Sequence, residues 1–241
     1  MFSFKHTPSA SPLVETVWRG QSERAGSFTS LATSQSEIVI TKYAGKTSLT
    51  VRGPETRATL VDAPADAEFF GITLRLGAFI PSLPSAALVD RHATLPEAAS
   101  QSFWLDDTAL TLPNFEDADD FVESLVQRGL LKYEASVKVM LRDQSLRFDE
   151  SLRSFQRRFL NATGLTQRTV RQIERAREAL ALLEGGRSIA DVVFQAGYSD
   201  QPHMTKALRQ LVGRTPAQVV NEVWAHSGLN LPSPGDVPLR D

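Results

Sequence analysis

The spacing of apolar positions changes once along this chain of 241 residues, from a period of two to a period near 3.6. Before the change, Glu37–Thr41, Ser48–Gly53, Arg57–Asp62 and Glu68–Leu76 are short runs rich in β-branched residues, separated by Gly, Pro or Asp turns. Such runs predict strands. In the second, Leu49 and Val51 alternate with Ser48, Thr50 and Arg52, as a half-buried strand requires. Pro81, Pro84 and Pro96 interrupt the stretch after Leu76. Short strands at this spacing predict a sandwich or a small barrel.

The change falls near Leu112-Pro113-Asn114. Glu116, Asp117, Asp119 and Asp120 then occupy a first turn, where the helix dipole favours negative charge, ahead of Phe121, Leu125 and Val126 at helical spacing. From there to Trp224 the signals are helical. The expected fold is α+β in two domains: a β-rich domain over residues 1–113, an all-α domain over 114–225, and a loose Pro/Gly-rich tail over 226–241.

Within the helical part, Ser151 suits an N-cap. At about 100° per residue, Leu152, Phe155 and Phe159 share one helix face, and Arg153, Gln156 and Arg157 share the other. Gly164 can end this helix in a left-handed cap, and Thr166 can begin the next. From Gln167 to Leu183, Val170, Ile173, Ala176, Leu180 and Leu183 make a continuous apolar stripe, stopped by Gly185-Gly186. At ~1.5 Å per residue this rod is roughly 25 Å long. It could hold two reading heads about one groove repeat apart.

Ser188 then caps a short helix, Ile189–Ala196, with Asp191 as capping partner and Ile189, Val192 and Val193 as its buried side. Gly197 supplies a turn and Tyr198 a packing residue. The next helix starts at Ser199 or Asp200, with Pro202 tolerated in its first turn. Met204, Ala207, Leu208 and Leu211 share one face, and Pro202, His203, Lys206, Arg209 and Gln210 the other. Gly213 ends it, and Thr215-Pro216 opens a last helix. A polar face of Arg, Gln, His and Lys without acid suits the edges of base pairs. Two-faced hairpins also occur in helical bundles that bind no nucleic acid, so the periodicity alone leaves both readings open.

Composition narrows the choice. Cysteine is absent, which excludes disulfides, thiolate zinc sites and a cysteine nucleophile. The four histidines, His6, His92, His203 and His226, show no metal-ligand spacing. There is no His–carboxylate cluster and no phosphate-cradling glycine loop, so neither catalysis nor a cofactor is expected. No run approaches ~18 apolar residues and the N-terminus lacks a signal core, so a cytoplasmic address without a membrane partner is expected. The net charge is −2, but Glu150–Val220 holds 11 Lys and Arg against 6 Asp and Glu, a local +5. A basic stretch in an acidic chain is the footprint of a phosphate-facing surface.

The strings SLRSFQRRFLNATGLT (Ser151–Thr166) and SIADVVFQAGYSDQPHMTKALRQLVGRTPAQV (Ser188–Val219) resemble the two helix-turn-helix units of the AraC/XylS family of bacterial transcription regulators. The second is the more specific, with its turn glycine, aromatic residue, Asp–Gln pair and terminal Gly–x–Thr–Pro in register. The resemblance implies two helix-turn-helix units joined by a long helix. It also implies sequence-specific binding of double-stranded DNA in the major groove. Base-reading positions carry over onto Arg153, Gln156 and Arg157, and onto Gln201, His203 and Lys206. The arginines suit guanine and the glutamines adenine, while Arg168, Arg171, Arg209 and Arg214 suit phosphates.

The sequence departs from the family pattern in two places. Ala135–Glu150 lacks the glycine and the periodicity of the family's first scaffold helix, although Leu141, Leu146 and Phe148 could pack under Phe155. Pro202 stands where a polar base-contacting side chain is common, which narrows direct readout. The N-terminal half resembles, through FFGITLRLGAFIP, the cupin-like β-barrel that many members carry for effector binding or dimerisation. A small-molecule effector of unknown identity, RNA polymerase and a second copy of the chain are the further partners implied. Trp18, Tyr43, Arg52, Arg75 and Trp104 could line an effector pocket, though each fits ordinary packing or solvated surface as well. The alternative is a cupin-like small-molecule-binding protein or enzyme whose helical domain serves dimerisation.

Overall fold

The computed structural model describes residues 2–142 and 152–227. The expectations for Leu146, Phe148, Ser151 and the tail beyond Ser227 lie outside the described residues. Strands fill the first half: β1 (Phe2–Pro8), β2 (Val14–Ser22), β3 (Gly26–Ser30), β4 (Glu37–Tyr43), β5 (Lys46–Arg52), β6 (Thr59–Ala63), β7 (Ala67–Leu74), β8 (Ala78–Phe79), β9 (His92–Thr94), β10 (Glu97–Ala99), β11 (Ser102–Leu105) and β12 (Thr108–Thr111). The helices come next: α1 (Ala118–Gln127), α2 (Ser136–Arg142), α3 (Leu152–Thr163), α4 (Gln167–Glu184), α5 (Ile189–Gln195), α6 (Gln201–Leu211) and α7 (Pro216–Ser227), with β13 (Lys132–Tyr133) between α1 and α2. A mostly-strand region thus precedes a helical one. The four strands expected from alternation are β4 to β7.

The main sheet has the antiparallel order β1-β2-β7-β4-β5-β9. Alternation sorts its two faces. Ile38, Ile40, Leu49, Val51, Ile72 and Leu74 point into a core that also takes Ala118, Val122 and Leu125 of α1. On the opposite face, Trp18, Val39, Thr41, Thr50, Arg52 and Phe69 line a cavity of about 380 Å3, closed by Phe28, Thr59 and Val61 of the β3–β6 ribbon. Gly71 makes room for Trp18 there, because a Cβ at that position would collide with the indole.

Helix α1 packs into the core of the strand region. Its buried stripe is Ala118, Val122 and Leu125, spaced i, i+4, i+7, and it closes the sheet's core. Val126, at the margin of that stripe, is exposed. Contacts divide the chain into two compact units, Met1–Arg171 and Gln172–Asp241, with the division inside α4. The N-terminal unit therefore includes α1, α2 and α3. No helix among the described residues is long and apolar enough to cross a membrane.

Candidate functional site

Helix α4 forms as its sequence demands. Val170, Ile173, Ala176, Ala179, Leu180 and Leu183 are all buried on one stripe, and Gly186, at φ 80°, ends the rod. Thr166 caps its start by accepting the Thr169 N–H at 3.1 Å.

Helix α3 buries Phe155 and Phe159 and exposes Arg153, Gln156 and Arg157, which share one outward arc. The adjacent arginine behaves differently. Arg158 is half-buried, stands over the Phe155 ring at 4.6 Å and approaches the Glu134 carboxylate at 3.9 Å. The helix is seated on its unit by its C-terminal end: Ser85 Oγ donates to the Ala162 carbonyl at 3.3 Å, and Gly164 (φ 71°) passes close to the Ser85 carbonyl.

Helices α5 and α6 form the second hairpin. Ser188 caps α5 by accepting the Asp191 N–H at 3.1 Å, while its hydroxyl donates to the Asp191 carboxylate at 2.7 Å. Of the side chains expected to be buried on α5, Val192 is fully so and Val193 and Ile189 partly so. Phe194 is 86% exposed. Gly197 turns the chain at φ 67°. Asp200 caps α6, its Oδ1 accepting the His203 N–H at 2.7 Å. Met204, Leu208 and Leu211 anchor the helix from below. The α7 cap closes the hairpin: Gln218 N–H donates to Thr215 Oγ1 at 3.2 Å, and Thr215 N–H to Gln218 Oε1 at 2.8 Å. That is a reciprocal capping box.

This arrangement leaves Gln201, His203, Lys206 and Arg209 exposed together. Gln201, Lys206 and Arg209 line one surface groove with Pro202, Thr205 and Gln210. Gln201, at the margin of the apolar face in a helical wheel, thus stands with the cations. Thr205 is an addition to the expected set; its position between Gln201 and Arg209 at i+4 spacing was the available signal. His203 flanks the groove, and its ring meets Tyr198 edge-on with centroids 5.2 Å apart. Tyr198 is buried, carries Arg175 over its face at 5.6 Å, and has its hydroxyl pKa raised above 10.0 by burial.

The arginines assigned to phosphates divide. Arg168 and Arg209 are exposed. Arg171 is half-buried and donates to the Met140 carbonyl at 3.1 Å. Arg214 is committed to Glu222 at 2.5 Å and Glu184 at 3.6 Å. Of the residues weighed for an effector pocket, Trp18 and Arg52 line the cavity of the strand region. Arg52 is held there by Glu55 and Glu37. Tyr43 and Trp104 are exposed elsewhere, and Arg75 hydrogen-bonds the Val14 carbonyl.

Comparison with known proteins bears on the helical part. Residues 146–222 match the family described as a helix-turn-helix domain. The chain is also similar to the solved structure of ToxT from Vibrio cholerae, at 13% identity over 92% of this chain and 98% of that one. The TM-score is 0.38. No curated protein matches the chain.

Proposed function

We propose that this chain, with its AraC-type helix-turn-helix domain, is a transcriptional regulator that reads a defined sequence in the major groove of double-stranded DNA. In this reading α6 enters the groove by its N-terminal end, with Gln201, His203 and Lys206 toward base edges and Arg209 toward phosphate. Arg153, Gln156 and Arg157 of α3 are the second reading set. Arg168 adds a phosphate contact. The observation that carries the reading is the face of α6. It is capped at its start, anchored by Met204, Leu208 and Leu211, and presents an acid-free set of polar and basic side chains to solvent. An acid-free face fits a polyanion, because each phosphate neutralised releases counterions.

The cavity of about 380 Å3 in the strand region supports an effector-responsive regulator. Its lining combines Trp18, Phe28, Val39 and Phe69 with charged side chains of both signs, among them Arg57, Arg91, Asp62 and Asp90. A small molecule with an apolar body and a polar end suits such a lining. A second copy of the chain and RNA polymerase are the protein partners of this reading.

The test is selection of bound duplexes from a random pool by the full-length chain. A defined sequence motif supports the proposal; recovery of unenriched DNA, or of none, contradicts it.

A further inference from the structure

The start of α6 holds three side chains in a chain of hydrogen bonds. Ser199 Oγ lies 3.2 Å from Asp200 Oδ2 and 3.0 Å from His203 Nδ1. A serine hydroxyl has one proton, and a carboxylate oxygen can only accept. Were that proton given to Nδ1, Ser199 and Asp200 would face each other as two acceptors with no hydrogen between them. Given to Asp200, it makes a charge-assisted bond. The Ser199 oxygen is then free to accept, and Nδ1 must be the donor. The Asp200 carboxylate is itself fixed, because its other oxygen caps the helix at the His203 N–H. The imidazole is further held edge-on against Tyr198. Nε2 takes part in no hydrogen bond among the described residues and belongs to an exposed side chain.

We propose that Ser199 and Asp200 hold His203 as the Nδ1–H tautomer, so that Nε2 meets the major groove as an acceptor and pairs with an exocyclic amine presented there, that of adenine or cytosine. The inference rests on the reading of α6 as a groove-entering helix. In the major groove, adenine N6 and cytosine N4 are donors, whereas guanine and thymine offer only acceptors and a methyl group there. An imidazole locked the other way would present a donor and favour guanine. The tautomer is set by the partner of the other ring nitrogen, and that partner is encoded two residues before the recognition face begins.

Two measurements on the full-length chain test this. Long-range proton–nitrogen NMR of the histidine-labelled protein at alkaline pH, where imidazole is neutral, assigns the His203 ring by the loss of its signals in His203→Gln. The proposal expects a protonated Nδ1 and a bare Nε2 in the wild type, retained in Ser199→Thr and lost in Ser199→Ala. A wild-type ring carrying its proton on Nε2 overturns it, whatever the chain does with DNA. In selection from random duplexes, the wild type should enrich one base pair at one position by roughly fivefold or more, and an analogue of its adenine or cytosine lacking the exocyclic amine should abolish that gain. Ser199→Thr should keep that preference, and Ser199→Ala and His203→Ala should abolish it. Binding undiminished when that exocyclic amine is removed, or an unchanged preference in Ser199→Ala, overturns the base assignment while leaving the DNA reading intact. Recovery of no sequence by any variant overturns the DNA reading and the base preference together, and the NMR result then still reports the tautomer.

Discussion

A side chain added at Gly164 would stand 2.5 Å from the carbonyl oxygen of Ser85. This close approach, with the left-handed φ of 71° at Gly164, sets the C-terminal end of α3 against the 3-10 turn Ser85–Leu88 of the strand region. The glycine at this helix end therefore does two jobs. It supplies the cap conformation that side chains resist, and it allows a backbone contact that a Cβ would block.

Gly164→Ala should accordingly destabilise the N-terminal unit. Positive φ alone costs on the order of 1–3 kcal/mol at a non-glycine residue, and the clash adds to it. Thermal unfolding should show a lowered midpoint. The Ser85→Gly variant, which leaves the backbone carbonyl in place, should not relieve it.

Arg209 and Arg214 should part company in salt titrations of DNA binding. Arg209 is exposed; Arg209→Ala should lower the slope of log affinity against log salt by about one. Arg214 is occupied by Glu184 and Glu222; Arg214→Ala should leave the slope unchanged. Its cost should fall on stability instead, on the order of 1 kcal/mol or less for a pair this accessible.

Tyr198 governs an alkaline limit on stability. Its hydroxyl is buried without a hydrogen-bond partner among the described residues, and burial raises its pKa above 10.0. A raised folded-state value means that the unfolded chain loses this proton first. The stability tied to the neutral phenol is thus fully present below about pH 10 and is lost as pH rises past it. Tyr198→Phe keeps the ring beside Arg175 and His203 and removes the unsatisfied hydroxyl. It should match or exceed the wild type by up to about 1 kcal/mol at neutral pH, and its unfolding midpoint should fall less steeply above pH 10.

Much of this structure was legible in the sequence because it is local. The stripe Val170–Ile173–Ala176–Leu180–Leu183 is buried throughout, since helical period alone decides it. The caps at Ser188, Asp200 and Thr215 come from residue type and spacing. The outward arc of α6 comes from the same periodicity. The features that were not legible depend on partners far along the chain. Strands β1 and β2 owe their order to pairing with each other and with β7. Arg171 and Arg214 carry charges no different in sequence from Arg209, yet Met140, Glu184 and Glu222 engage them. From sequence, Phe194 is assigned to neither side of its helix; the buried arc of so short a helix is taken by Val192, and the phenyl ring is exposed. The boundary at Pro113 tracked the change of period. The compact unit tracks the core, into which α1 packs.

The proposed DNA reading centres on the exposed face of α6, and Lys206 is its most direct probe, since it is exposed and lies in the groove beside Gln201 and Arg209. The decisive measurement is the affinity of the Lys206→Ala full-length chain for the selected duplex at fixed salt, beside its unfolding temperature. A loss of roughly five- to a hundredfold is expected, the range of a lost base contact, with the unfolding temperature unchanged. Affinity equal to the wild type at equal stability would contradict a groove-reading role for this face.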